Sequence, residues 1–417
     1  MLSPRSIAGH DDDPTRGFAI HENDHGATQQ PAEVLSPTMT YDVCVVGLGG
    51  IGSAILAHCA ARGARVIGLE QFARDHDLGS SSGRTRMIRT AYFEEPAYVP
   101  LVRRSYQLWH DLERTSGESL LTMTGVLTVG REDSEIIVGT RRAAREHGLP
   151  IYSLDRREVK ARYPVLRMQP DEVAIFDNDA GVLKPERAIA RHLEAAEKHG
   201  ATTRFNIATT RWQAKRDRFD VFLHDGSNIS ASRLILAMGP WIQETLRELG
   251  VTIRVQRNVQ AWFAPEIDDY ASPKFPAFLV ERDGLPAPLY GFPDFGDGVK
   301  AAFHGAGELT TAEEVKREID EAQDVAPIAR AMDDWMPQAA GRLLSAKACM
   351  YSLTPDEHFV VDRHPEHERL ILCGGFSGHG FKFAPVIGEI ATDLALDGGT
   401  SHNIDFLSLR RFRGGKP

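Results

Sequence analysis

The sequence predicts an α/β fold: a Rossmann-like dinucleotide-binding domain assembled from separated segments, plus an inserted α+β domain with a mixed sheet. Three observations carry this. A strand, a glycine turn, a helix and a second strand follow one another within about 30 residues near residue 41. The same α/β texture returns over the last ~70 residues. Between them, about 253–344, the chain is richer in proline and aromatic residues and reads as mixed strands and loops. The expected partition is a polar tail at 1–38, a nucleotide-binding domain at 39–120, 181–252 and 345–417, and a substrate domain at 121–180 and 253–344.

The elements follow in order. The tail has no apolar period and is rich in Asp, Gly and Pro, the composition of a disordered segment. It lacks the basic start and apolar core of a secretory signal, and Met39 is a candidate start. Residues 41–46 (YDVCVV) are β-branched and apolar, as in a buried strand. GLGGIG follows, then a helix (SAILAHCAAR) stopped by Gly63, then the strand RVIGLE. A helix is expected at about 98–114, with apolar positions Val102, Leu108, Trp109 and Leu112. Residues 125–130 read as a strand. Residues 185–199 read as a helix, with proline in its first turn and Gly200 beyond its end. Asp225-Gly226 signals a hairpin, and RLILAMGPW at 233–241 reads as a further buried strand. Near the C-terminus, RLILCGG is a strand and FKFAPVIGEIATDLAL a helix.

Composition narrows the function. The chain has 417 residues, 42% hydrophobic and 25% charged, enough for a large core. A net charge of −10 disfavours binding nucleic acid or anionic membrane through bulk electrostatics. No apolar run approaches the ~18 residues of a membrane span. Cysteines 44, 59, 349 and 373 show no metal or disulfide spacing, which fits reduced thiols in a cytoplasmic protein and no metal site.

Gly47, Gly49 and Gly52 form GxGxxG between a strand and a helix. Such glycines let backbone N–H groups approach a pyrophosphate at a helix N-terminus. Glu70, about 18 residues beyond Gly52 and at the end of the second strand, suits a ribose hydroxyl. The alternative is a glycine turn that only packs helix on strand. These residues do not choose between NAD and FAD. Two later features favour FAD: the small-residue strand end LILAMGPW, and the glycine-rich turn GGFSGHGFKF with Gly378 and Gly380. A helix N-terminus there suits the negative charge of a reduced flavin.

Four motifs, GSSSGRTRMIRTAY, LYGFPDFGDGVKAAFH, KACMYSLTPDEHF and GFSGHGFKF, resemble those of the monomeric sarcosine oxidase and N-methyltryptophan oxidase family, within the FAD-dependent amine and amino-acid oxidases of the D-amino-acid oxidase superfamily. The resemblance runs from about residue 41 to 412. It implies a monomeric flavoenzyme that oxidises a secondary amino acid, N-methylated or cyclic, to an imine and reduces O2 to hydrogen peroxide. It implies that FAD is bonded to the sulfur of Cys349. The residues alone suit a small buried thiol at that position. It implies that Lys300 promotes reaction with oxygen, where the alternative is an exposed strand lysine. It implies that His304, Tyr290 and Tyr351 line the pocket, that Arg86 lies against the flavin, and that Arg89 and Lys382 grip the substrate carboxylate. The alternative for the arginines is a solvated basic loop. Ser81-Ser82 stand where the family has His-His, Arg84 where it usually has an acid, and the loop before Lys300 is one residue short. Two other readings are an amino-acid dehydrogenase passing electrons to a quinone or protein acceptor, and a non-catalytic flavin-binding protein.

Overall fold

The computed structural model describes residues 40–412; the expectations for 1–38, Met39 and the last five residues lie outside them. Two large sheets dominate. The first has eight strands. Its parallel centre runs Asn228–Leu236, Thr40–Val46, Val66–Leu69, Thr202–Arg204. Thr40–Val46 is buried between neighbours and flanked by the helix Gly50–Ala61, which packs on helices Pro185–Lys198 and Ala384–Leu396. Strands covered on both faces read as continuous apolar runs, and this one does.

Asn228–Leu236 differs from the sequence expectation of a hairpin arm followed by a separate strand. It is one strand with two partners on one edge. Its polar first half pairs antiparallel with Phe219–Leu223, and its apolar second half pairs parallel with Leu370–Gly374. The change from alternating to continuous apolar character marks the change of partner, not a break.

The second sheet has nine strands, mostly antiparallel, with one parallel pair between Val126–Arg131 and Ala277–Val280. Its spine is Arg254–Phe263. On one side lie Val299–Phe303 and Glu308–Thr310; on the other lies Leu343–Leu353. Residues 345–353 therefore belong to this sheet, although the sequence expectation grouped them with the nucleotide-binding segments. A small third sheet joins Arg86–Ile88, Leu121–Thr122 and Gly181–Leu183.

The expected helices form at Val99–Ser116, after a 3-10 turn Pro96–Tyr98, and at Pro185–Lys198. Their ends carry Gly117 and Gly200 in left-handed conformations, φ +70° and +88°. Helices Glu135–His147, Arg156–Arg162 and Ala326–Trp335 were not read from the sequence.

An ion pair buried in the second sheet joins its strand Glu172–Asp177 to the helix Ala326–Trp335. Arg282 donates to both oxygens of Glu172 at 2.5 and 2.8 Å, to Asp334 at 2.7 Å and to the Arg167 carbonyl at 2.9 Å. The Arg282 and Glu172 side chains are 3% and 1% exposed. Removing Arg282 strands the Glu172 carboxylate in the interior, whereas Arg282 without Glu172 keeps Asp334. Arg282→Met is expected to cost about 3–5 kcal/mol of unfolding free energy in denaturant titrations, and adding Glu172→Leu to recover much of that loss.

Candidate active site

The glycine turn makes a cradle. Gly47 has φ +89°, and a Cβ there would lie 2.5 Å from the Ala237 carbonyl. A Cβ on Gly52 would lie 1.7 Å from the Gly47 carbonyl, so helix and strand approach more closely than any side chain permits. A Cβ on Gly49 would meet nothing within 4 Å. The helix Gly50–Ala61 begins there with no side-chain cap, leaving N–H groups free for an anion. Glu70, 6% exposed, accepts from the backbone N–H of Leu48 at 2.8 Å and of Phe72 at 3.1 Å. The four nucleotide-binding candidates thus meet at one turn.

A second wall comes from one face of the nine-stranded sheet. Directly opposed residues on antiparallel strands share a face, and alternate residues along a strand do too. Trp262 opposes Lys300, Lys300 opposes Phe292, and Ala302 opposes Tyr290. Across the spine, Asn258 opposes Cys349 and Gln256 opposes Tyr351. One face therefore carries Tyr290, Lys300, His304, Gln260, Cys349 and Tyr351. The other face carries Ala261, Phe263, Leu289, Val299 and Ala301 in the apolar core.

The turn at Gly79–Arg86 folds against this face. Lys300, 1% exposed, donates to the Gly83 carbonyl at 2.6 Å, the Thr85 carbonyl at 3.0 Å and the Thr85 hydroxyl at 3.2 Å. Burial, then Arg86, drives its pKa well below the usual lysine range. Three oxygens nonetheless match the three donors of an ammonium better than the two of a free amine. Arg86 donates to the carbonyls of Thr85 and Ser80, each at 2.8 Å, and of Ser82. Arg84, exposed and at φ +65°, pairs with Asp297 at 3.1 Å and lies 4.7 Å over the Trp262 ring.

Cys349 is 1% exposed and accepts from Gln260 Nε2 at 3.2 Å. The other three cysteines sit in the apolar cores behind the first sheet, where burial pushes their thiols up to about 12 (Cys44, Cys373) and about 11 (Cys59). Gly378, at φ +78°, lies so close to Tyr351 that a Cβ would be 2.3 Å from its ring; at Gly380 a Cβ would be 2.5 Å from Phe376. Gly378 thus lets the last turn close over the sheet face, and Gly380 lets that turn fold on itself.

The third wall is cationic. Arg89, 6% exposed, donates to Glu94 at 2.7 and 2.5 Å and to the Ala91 carbonyl at 3.0 Å. Lys382, also 6% exposed, donates to the His379 carbonyl at 2.8 Å. Burial first, and the Arg89 cation second, lower Lys382 to about 7. Burial opposes the charge of Glu94, but Arg89, with Lys382 beside it, outweighs it and holds the carboxyl at about 2. His304 meets the Tyr351 hydroxyl at 3.2 Å, and burial lowers its pKa to about 4. Burial raises the Tyr290 phenol to about 12.

Sequence reasoning missed Glu94, Tyr92, His379 and Gln260. Glu94 had a local signal, an acid five residues after an arginine in an aromatic stretch. The others act through partners far along the chain.

The residues fit an FAD. The open space at Gly49 lies at an uncapped helix start. Among the described residues, Ser80 Oγ, Ser82 Oγ and Gln260 Oε1 are buried without a hydrogen-bond partner beside Lys300, Arg86 and Cys349. No group of three or more His, Cys, Asp or Glu among the described residues is placed to hold a metal ion, and no described helix is long and apolar enough to cross a membrane.

Comparison with known proteins gives the same cofactor. The sequence profile of the DAO family, FAD dependent oxidoreductase, matches residues 42–394. The monomeric sarcosine oxidase of Streptomyces avermitilis is 42% identical over 384 residues, covering 90% of this chain and 98% of that protein. The N-methyl-L-tryptophan oxidase of Yersinia pestis is 33% identical over 378 residues, covering 90% and 100%. Among solved structures, NikD, an amino acid oxidase essential for nikkomycin biosynthesis, superposes with a TM-score of 0.78 at 24% identity, covering 89% of this chain and 98% of that one. At that identity the likeness shows the fold.

The Arg89–Glu94 pair yields a pH prediction. The Glu94 carboxyl is held at about 2, below its ordinary 4.5, so the unfolded chain binds the extra proton between those values. Its stabilisation is present above about pH 4.5 and lost as pH falls toward 2. The difference in unfolding free energy between wild type and Glu94→Gln should therefore shrink across this window. A difference independent of pH would contradict the pairing.

Proposed function

We infer that this chain, which belongs to the FAD-dependent oxidoreductase family, oxidises the C–N bond of a secondary amino acid, N-methylated or cyclic, with O2 reduced to hydrogen peroxide. The observation that carries the reading is the pair of buried cations, Arg89 and Lys382, beside the wall that bears Lys300 and Cys349. Sarcosine and N-methyl-L-tryptophan, named for two relatives, are both N-methyl amino acids, which supports the substrate class.

The substrate carboxylate is read by Arg89 and Lys382. The planar guanidinium gives direction, and the lysine keeps two donors free after its bond to His379. Holding the carboxylate fixes the neighbouring carbon, so part of the rate comes from orientation. The amine must be neutral to lose its electron pair to an acceptor. Arg86, Arg89, Lys300 and Lys382 lower its pKa and favour that form. Tyr290, Tyr351 and His304 close the pocket around the amine. When bound, FAD accepts two electrons from the substrate and passes them to oxygen. Water then splits the imine product into an aldehyde and an amine, or opens a cyclic one.

Gly47, Gly49, Gly52 and Glu70 would hold the nucleotide half of FAD, with Gly378 and Gly380 shaping the turn by the ring. Cys349 is the proposed covalent attachment point. In support, it lies on the site face while the other cysteines lie in apolar cores. Lys300 supports oxygen reduction by placing positive charge where superoxide forms. We read the protein as a cytoplasmic monomer; its cysteines are all buried and unpaired, and a relative is named monomeric.

Acid precipitation of the purified protein tests the cofactor link. Yellow flavin is expected in the pellet for wild type and in the supernatant for Cys349→Ala. Flavin in the wild-type supernatant would remove the covalent bond from this account. Lys300→Met is expected to slow turnover with O2 by about 10²-fold or more while turnover with an artificial dye changes little. A wild-type enzyme that turns over with dye but not with O2 would instead be a dehydrogenase.

A further inference from the structure

We propose that Tyr92 and His379 form a brace that sets the relative position of Arg89 and Lys382, and are thereby positioning residues for carboxylate recognition. This rests on the reading that Arg89 and Lys382 bind the substrate carboxylate.

Both cations lie against one phenol ring. The Arg89 guanidinium is 4.6 Å and the Lys382 ammonium 5.1 Å from the Tyr92 centroid. Tyr92 is fully buried, and its ring is packed by Tyr98, Phe383 and His379 at centroid separations of 5.1, 5.2 and 5.8 Å. Its hydroxyl meets His379 Nδ1 at 2.5 Å.

The tautomer follows from the other ring nitrogen. His379 Nε2 lies 3.1 Å from the Glu357 carbonyl, which can only accept, so Nε2 carries the hydrogen. Burial lowers the His379 pKa to about 3, leaving the ring neutral and Nδ1 an acceptor. Tyr92 therefore donates. The backbone carbonyl of the same His379 accepts from Lys382 at 2.8 Å. Arg89, Tyr92, His379 and Lys382 thus close a loop from two segments almost 290 residues apart.

Such a brace has a physical purpose. Two buried cations repel and cost desolvation energy. The electron-rich ring face offsets part of this for both at once, and Glu94 offsets more for Arg89. A phenylalanine would supply the face and lose the anchor. A leucine would lose both.

The test uses the FAD-loaded protein and methoxyacetate, a carboxylate with the shape of N-methylglycine and no oxidisable amine, with neutral 2-methoxyacetamide as control. Calorimetric titration gives Kd, and reaction with a trace amine-acylating reagent, read by mass spectrometry, gives the exposure of Lys382. Tyr92→Leu should weaken methoxyacetate at least tenfold, Tyr92→Phe about threefold, with the acetamide changed by less than twofold. Lys382 acylation should rise in both variants. With substrate, KM should rise more than kcat falls. Equal weakening of the charged and neutral ligands would mean general loosening and would overturn the brace. If Tyr92→Leu does not fold, Tyr92→Phe decides: unchanged Kd and unchanged Lys382 acylation overturn the proposal. Arg89→Ala separates the two readings. If it leaves methoxyacetate binding unchanged, the carboxylate site is wrong, and Lys382 acylation in Tyr92→Phe still decides the brace.

Discussion

Buried positive charge is the constraint around which this site is organised. Arg89, Lys300 and Lys382 are each at most 6% exposed, and Arg86 is half-buried beside them. Charges removed from water need local compensation. Here it comes in three forms: backbone carbonyls around Lys300 and Arg86, a carboxylate on Arg89, and the Tyr92 ring shared by Arg89 and Lys382. Arg89 and Lys382 keep N–H donors for a further anion, whereas the three donors of Lys300 are all taken. On the proposed reading, this charge gives the site affinity for a carboxylate and for negative charge developing on oxygen. Burial and the Arg89 cation also lower Lys382 to about 7.

The fold delivers these groups through alternation. The spine strand Arg254–Phe263 sends Ala261 and Phe263 into an apolar core, and Gln260 and Trp262 toward the site. Its neighbours follow the same register, which puts Lys300 and Cys349 on one surface although they enter on different sides of the spine. Glycine does the complementary work. Gly83, at φ +112°, lies where a Cβ would be 2.0 Å from Gln260 Oε1, so the loop carrying the Lys300 acceptors can settle on the sheet.

Local structure was legible wherever one residue pattern dictated one conformation. The first strand, glycine turn and helix followed from apolar runs and glycine spacing, and Gly200 marked a helix end that the structure places at Lys198. Asn228–Leu236 reads as two elements because its residues pass from alternating polar and apolar to continuously apolar along one strand. Glu135–His147 was not read because arginines dilute its apolar stripe of Ile136, Ile137, Ala143 and Ala144. In the site, Arg89, Lys300, Cys349 and Lys382 came from motifs that resemble a family. Composition alone left Cys349 as a packing thiol. Tyr92, His379 and Gln260 stayed hidden because their roles depend on partners 287 or 89 residues away, a separation that no local pattern encodes.

The central claim is that the cation pair reads a carboxylate on a secondary amine. The most direct measurement is anaerobic mixing of the flavin-loaded protein with matched compounds, following loss of flavin absorbance. Sarcosine, N-methyl-L-tryptophan and a cyclic secondary amino acid are compared with their decarboxylated amines. The account predicts that at least one amino acid bleaches the flavin rapidly, and that its decarboxylated counterpart does so slower by two orders of magnitude or more. Equal rates for an amino acid and its decarboxylated amine would contradict it.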